Sequence, residues 1–234
     1  MRGVYNSFSD IIGILHQHGV PYLVLRNYDN LLDKAMYMDG HGDVDMLVGN
    51  SDEVKNVLGA QTFASHGDDG THYYVMIDGQ RVSLDLRSVG DGYYCRKWQQ
   101  ELLERRVLHN GFYVMCPEDY FYSLIYHAAL QKPYLSDEYK RRLVVMAEGQ
   151  GIEVPIDIDI TELIKLLEIY MRKHGYTYTY AQDIFVPLHT KYISKDLLEA
   201  NKKLAWLHWK FEKKVSIISF AVKCKHLFTT GKYE

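Results

Sequence analysis

The chain has 234 residues, of which 47% are hydrophobic and 24% charged, and a formal net charge of -3. That length buries a substantial core without help from disulfides or structural metal, and the near-neutral balance excludes the basic field that duplex nucleic acid demands, so no duplex partner is expected. Three well-separated cysteines, Cys95, Cys116 and Cys224, form no CxxC pair, which argues against a disulfide framework or a cysteine zinc site and fits a reducing cytoplasm.

The opening residues carry histidines within a short apolar stretch and no small-residue cleavage site, so they are not expected to be a signal peptide. In the first third, helix and strand alternate. Ser9 is predicted to cap a helix holding Ile11, Ile12, Ile14 and Leu15, which Gly19 stops. A strand over residues 22–25, a polar stretch over 26–42 and a second strand over 44–48 follow. Ser51 is then predicted to cap a short helix over 54–58. Strands over 73–77 and 81–86 are joined by Asp78-Gly79, a tight-hairpin signal.

From Lys97 onward the pattern is mainly helical. Pro117 sits at a favoured first helical position and opens a helix over 118–130. Further helices are predicted over 137–148, over 161–173 with Gly175 as the stop, and over 195–228 as one long or broken segment. No stretch approaches the roughly 18 consecutive apolar residues that span a bilayer. The expected class is α+β, with an α/β module over residues 1–112 followed by a helical module over 113–234. Tyrosine is abundant, with 20 residues, and reads best as amphipathic wall and surface.

The chemistry concentrates in His41-Gly-Asp-Val-Asp-Met-Leu-Val48. Side chains alternate along a strand, so Asp43 and Asp45 share one face while Val44, Met46 and Val48 share the other. Neighbouring carboxylates repel unless a cation lies between them, and an oxygen-rich site of this kind suits Mg²⁺ or Mn²⁺ holding a phosphate chain. Gly42 lets a ligand approach the backbone closely. In Arg81-Val-Ser-Leu-Asp-Leu-Arg87 the apolar row Val82, Leu84, Leu86 puts Asp85 and Arg87 on the opposite face. If the two strands are neighbours, Asp85 joins the pair to make a catalytic, metal-binding trio, and Arg87 contacts phosphate.

A strand, a polar loop, Gly-Asp-x-Asp entering an apolar strand, and an aspartate on a later strand together resemble the polymerase-beta-type nucleotidyltransferase superfamily. The nearest likeness is to bacterial members linked to surface polysaccharides. Residues 21–28 (PYLVLRNY) and 113–128 (YVMCPEDYFYSLIYHA) add to it, and the resemblance spans about residues 8–130. It implies a nucleotidyltransferase-type mixed sheet followed by a helical module. It also implies transfer of a nucleotidyl or substituted-phosphoryl group from a nucleotide donor to a hydroxyl, on a glycan or lipid-linked sugar. Most members carry Gly-Ser after the first strand to grip phosphates. This chain has Leu25-Arg26-Asn27 there, so Arg26 and Asn27 are the expected phosphate donors.

Other signals have blander readings. Asp157 and Asp159 form a second DxD, but Asp159 with Glu162 fits a capping box. His127 is read as a hydrogen-bonded core histidine, and Lys132, Lys140, Arg141 and Arg142 as a solvated basic face. Residues 201–234 hold eight lysines against two glutamates, interleaved with aromatics. That pattern suits either peripheral contact with an anionic membrane, at its cytoplasmic face, or packing on the helical module. Two further functions compete: a DxD glycosyltransferase, disfavoured because only 42 residues precede Asp43, and a non-catalytic nucleotide-binding module.

Overall fold

A computed structural model of the chain describes residues 3–33, 43–65 and 67–230, with side chains as far as residue 217. The strands are β1 (Val4–Tyr5), β2 (Tyr22–Val24), β3 (Asp43–Val48), β4 (Gln61–Thr62), β5 (His72–Ile77), β6 (Gln80–Ser88), β7 (Val107–His109) and β8 (Phe112–Val114). They form one mixed sheet in the order β1-β5-β6-β3-β2-β8-β7, with β4 paired to β5. Near its centre, β3 runs antiparallel to β2 and parallel to β6. The helices are α1 (Phe8–Gln17), α2 (Ser51–Leu58), α3 (Arg96–Glu104), α4 (Pro117–Tyr126), α5 (Asp137–Glu148), α6 (Ile160–His174) and α7 (Lys202–Thr230). The fold is α+β with a helical C-terminal part.

Strand alternation divides the core in two. Val44, Met46 and Val48 of β3 and Val82, Leu84 and Leu86 of β6 pack under α1 and α2, against Phe8, Ile11, Leu15, Val54 and Leu58. On the other face Leu23, Leu25 and Leu47 meet Trp98, Phe121, Leu124, Leu163 and Leu167 from α3, α4 and α6. Each such side chain contributes about 1.5–3 kcal/mol when fully buried, so both layers hold the sheet against its helices. The aspartates lie toward the second, helix-covered face.

Several local expectations shift. Ser7, not Ser9, caps α1, because Asp10 stands three residues after Ser7 and completes a reciprocal capping box. Asn50, not Ser51, caps α2, its side-chain oxygen accepting from both Asp52 and Glu53. Between Lys97 and Pro117 a β7–β8 hairpin interrupts the helices, turning at Asn110-Gly111, where both residues have positive φ. The helix opened by Pro117 is α-helical only to Tyr126 and continues as a π turn over His127–Gln131. A short 3₁₀ turn at Lys195–Leu197 precedes α7, which begins at Lys202. Asp159 caps α6 with Glu162 in the expected box. Among the described residues no helix is long and apolar enough to cross a membrane.

Candidate active site

The parallel register of β3 and β6 sets Asp45 opposite Asp85 and Asp43 opposite Ser83. With the other row of each strand committed to the α1–α2 layer, the three aspartates and Arg87 leave the sheet together. On the far side of β3, the Leu25 N–H donates to the Asp45 carbonyl at 2.9 Å. Arg26 therefore emerges beside the acids, and its Nη2 donates to Asp45 Oδ2 at 3.0 Å. Asn27 follows in the left-handed region, at φ 56°. Asp43, Asp45, Asp85, Arg26, Asn27 and Arg87 all border one cleft of about 390 Å³. Gly42 lies outside the described residues.

The cleft is strongly charged. Burial, with Asp45 and Asp43 adding repulsion, pushes the Asp85 carboxyl up to about 6 against the opposing pull of Arg87. Arg87 Nη2 stands 3.9 Å from Asp85 Oδ2, while its Nη1 donates to Asp183 at 2.9 Å. Burial works against the Arg26 cation, but Tyr93 and Asp45 outweigh it and raise its pKa. The Tyr93 ring lies between the two arginines, with centroid distances of 5.8 Å to Arg26 and 4.9 Å to Arg87. One nitrogen on each arginine, Nη1 of Arg26 and Nε of Arg87, is buried without a hydrogen-bond partner. Unsatisfied buried donors of this kind suit an anion with several oxygens, such as a phosphate chain.

Sequence reasoning missed much of the wall. Tyr93 follows β6, and His127 and Gln131 come from the π turn. His127 is indeed buried, bonded through Nδ1 to Gln131 at 2.9 Å, yet it also borders the cleft. The segment from Phe185 to Pro187 closes the remaining side, and just before it Asp183, 96 residues from Arg87, accepts from that arginine. No local pattern marks those positions. The π turn is the nearest to a signal, because such turns recur at functional sites, but it is not written in the residue pattern.

No protein-family model and no curated protein matches the chain. Among solved structures it is similar to the antibiotic-resistance factor ANT(2'')-Ia, at a TM-score of 0.36 and 12% identity, over 72% of this chain and 90% of that one. It is also similar to a tRNA-processing enzyme in an apo form, at a TM-score of 0.27 and 14% identity, over 95% of this chain and 64% of that one. Likenesses of that depth decide nothing about function, which rests on the cleft.

The carboxylate trio was expected within reach of a shared ion. The strands adjoin, but among the described residues no three His, Cys, Asp or Glu side chains stand close enough to hold one. Arg26 engages Asp45, and Arg87 lies near Asp85, so these two acids lean on cations of the protein. The donor set itself suits a hard divalent ion, with oxygen ligands only, on adjacent strands.

Proposed function

We propose that the chain is a metal-dependent transferase of the nucleotidyltransferase type. It moves a nucleotidyl or substituted-phosphoryl group from a nucleotide donor to a hydroxyl, on a surface glycan or lipid-linked sugar. The observation that carries this reading is the register pairing of Asp45 with Asp85 beside two buried, incompletely bonded arginines. Asp43 and Asp45 would hold Mg²⁺ or Mn²⁺, which would supply charge neutralisation to the phosphate chain, while Asp85 would bind a second metal or act as the general base. Arg26, Asn27 and Arg87 bind the donor phosphates, in place of the Gly-Ser grip. As the acceptor oxygen bonds the donor phosphorus, the bond from phosphorus to the leaving phosphate chain breaks, and its electrons depart on that oxygen. The hydroxyl proton passes to Asp85 where that carboxylate acts as the base, and to solvent where it holds metal.

The Arg26–Asp45 ion pair favours a second reading, a module that binds nucleotide without turnover. A panel of nucleoside triphosphates and nucleotide-sugars, with Mg²⁺ or Mn²⁺ and with EDTA, separates them. Transfer that EDTA abolishes, and that Asp43→Asn or Asp85→Asn lowers by about 10²- to 10⁴-fold, supports the transferase. Nucleotide binding with no turnover supports the module. Sugar transfer with release of nucleoside diphosphate instead marks a glycosyltransferase.

A further inference from the structure

A second cavity, of about 480 Å³, adjoins the acidic cleft and shares Lys132 with it. Its wall is basic and aromatic, with Lys132, Lys140 and Lys191 beside the rings of Tyr134 and Tyr192. One carboxylate borders it, that of Asp159, and this group is committed to capping α6, accepting from the Glu162 N–H at 2.9 Å. Among the described residues no carboxylate forms an ion pair with any of the three lysines. The 15-residue helix α6 starts at this wall with Ile160, and its N-terminal dipole end adds to the positive field. His189 gives an independent sign. Its backbone N–H is satisfied by the Leu130 carbonyl at 2.9 Å, but its Nε2 is buried with no partner.

Three lysines lining one cavity with no paired carboxylate favour an anion there, and a buried ring nitrogen without a partner costs free energy until something bonds it. A tetrahedral phosphate answers both needs, since it offers oxygens in several directions to point-charge donors. We propose that this cavity is the acceptor subsite, and that the acceptor carries a phosphate ester gripped by Lys132, Lys140 and Lys191. The inference rests on the transferase reading of the adjoining cleft. Tyr134 and Tyr192 flank the organic part of the acceptor with apolar ring surface. Because Lys132 borders both cavities, an ester anchored there presents a neighbouring hydroxyl toward the aspartates.

The ester can belong to a soluble sugar phosphate or to a lipid headgroup, so the test has two arms on the full chain. In solution, inorganic phosphate and glucose 1-phosphate are titrated. In the second arm, phosphatidylcholine vesicles with and without phosphatidate are sedimented. The paired change Lys140→Gln with Lys191→Gln should weaken phosphate binding by about tenfold or more in at least one arm, and that arm identifies the source. The paired change to arginine should preserve binding, and unchanged melting temperatures exclude misfolding. Mn²⁺ binding, followed by electron paramagnetic resonance, should survive the lysine changes and be lost in Asp45→Asn. Binding of neither probe, or binding that the glutamine pair leaves unaltered, overturns the subsite. Absence of Mn²⁺ binding with lysine-dependent phosphate binding overturns the transferase reading alone.

Discussion

Arg26 has 8% of its surface exposed and relies on Asp45 as its hydrogen-bonded counter-ion. Losing one partner of a buried pair costs about 3–5 kcal/mol, which the partial exposure of Asp45 reduces to about 2 kcal/mol. Asp45→Ala should therefore lose that much stability in urea titrations, whereas Asp45→Asn, whose amide oxygen still accepts, should lose less than about 1 kcal/mol. Equal losses would show that the charge of Asp45, not merely an accepting oxygen, holds Arg26. At His127, burial, with Arg26 adding to it, holds the ring down at about 3. The unfolded ring protonates near its ordinary value of about 6.5, so between those values the unfolded chain binds the extra proton. Stability falls as pH drops through that window, by up to about 1.4 kcal/mol per pH unit. His127→Gln should flatten the fall seen between about pH 6 and about pH 4; an unchanged slope would assign it to other groups.

At the scale of elements, the loop after β6 joins the sheet to the C-terminal part. Gly92 has φ 80°, and a Cβ there would collide with the Tyr180 carbonyl oxygen. The same junction is tied by Thr179 Oγ1 donating to the Gly92 carbonyl at 2.8 Å and by the Gln182 N–H donating to the Asp91 carbonyl at 2.7 Å. One residue on, Asp183 accepts from Arg87 in the cleft. Gly92→Ala should cost about 2–4 kcal/mol, combining left-handed strain with a backbone clash, and should also weaken nucleotide binding by displacing Asp183. Gly79→Ala makes the comparison: its φ is 78° but nothing lies within 4 Å, so about 1 kcal/mol is expected, with binding unchanged. Calorimetric melts and nucleotide titrations of the two variants should separate clearly. Equal losses would mean that the Gly92 junction yields without strain.

On the scale of the molecule, α7 is anchored near its start, and among its described side chains several apolar ones are exposed. His208 is buried and bonds the Ala181 carbonyl at 2.7 Å, and Phe211 meets Phe185 edge-on at 5.0 Å. Trp206, Trp209, Val215 and Ile217 are exposed, with Lys210 close to the Trp206 ring. Exposed indoles among lysines support the proposed peripheral contact with an anionic membrane, each lysine contributing about 1 kcal/mol near the surface. The chain should sediment with anionic vesicles at low salt, release as salt rises, and ignore neutral vesicles. Because His208 belongs to the core, cutting at Asn201 would confuse anchoring with folding. Trp206→Ser with Trp209→Ser is the cleaner variant, and it should lose vesicle binding at an unchanged melting temperature. Retained binding would end the membrane reading.

The sequence alone made legible the alternation in β3 and β6, the apolar rows that pin those strands, and Arg26 at the exit of β2. These follow from a two-residue period and from chain neighbours, so they need no knowledge of distant segments. The hairpin at Asp78-Gly79 and the Asp159 capping box were readable for the same reason, each being complete within a few residues. The serine caps were misplaced because adjacent residues competed, and reciprocal bonding chose between them. The tertiary structure decided that Asp45 faces Asp85, that Arg26 and Arg87 engage the acids, that Tyr93 and His127 complete the wall, and that Asp183 holds Arg87. Strand register and contacts across 96 residues, as between Arg87 and Asp183, are set by the packing of both core layers at once, which no local window of sequence contains.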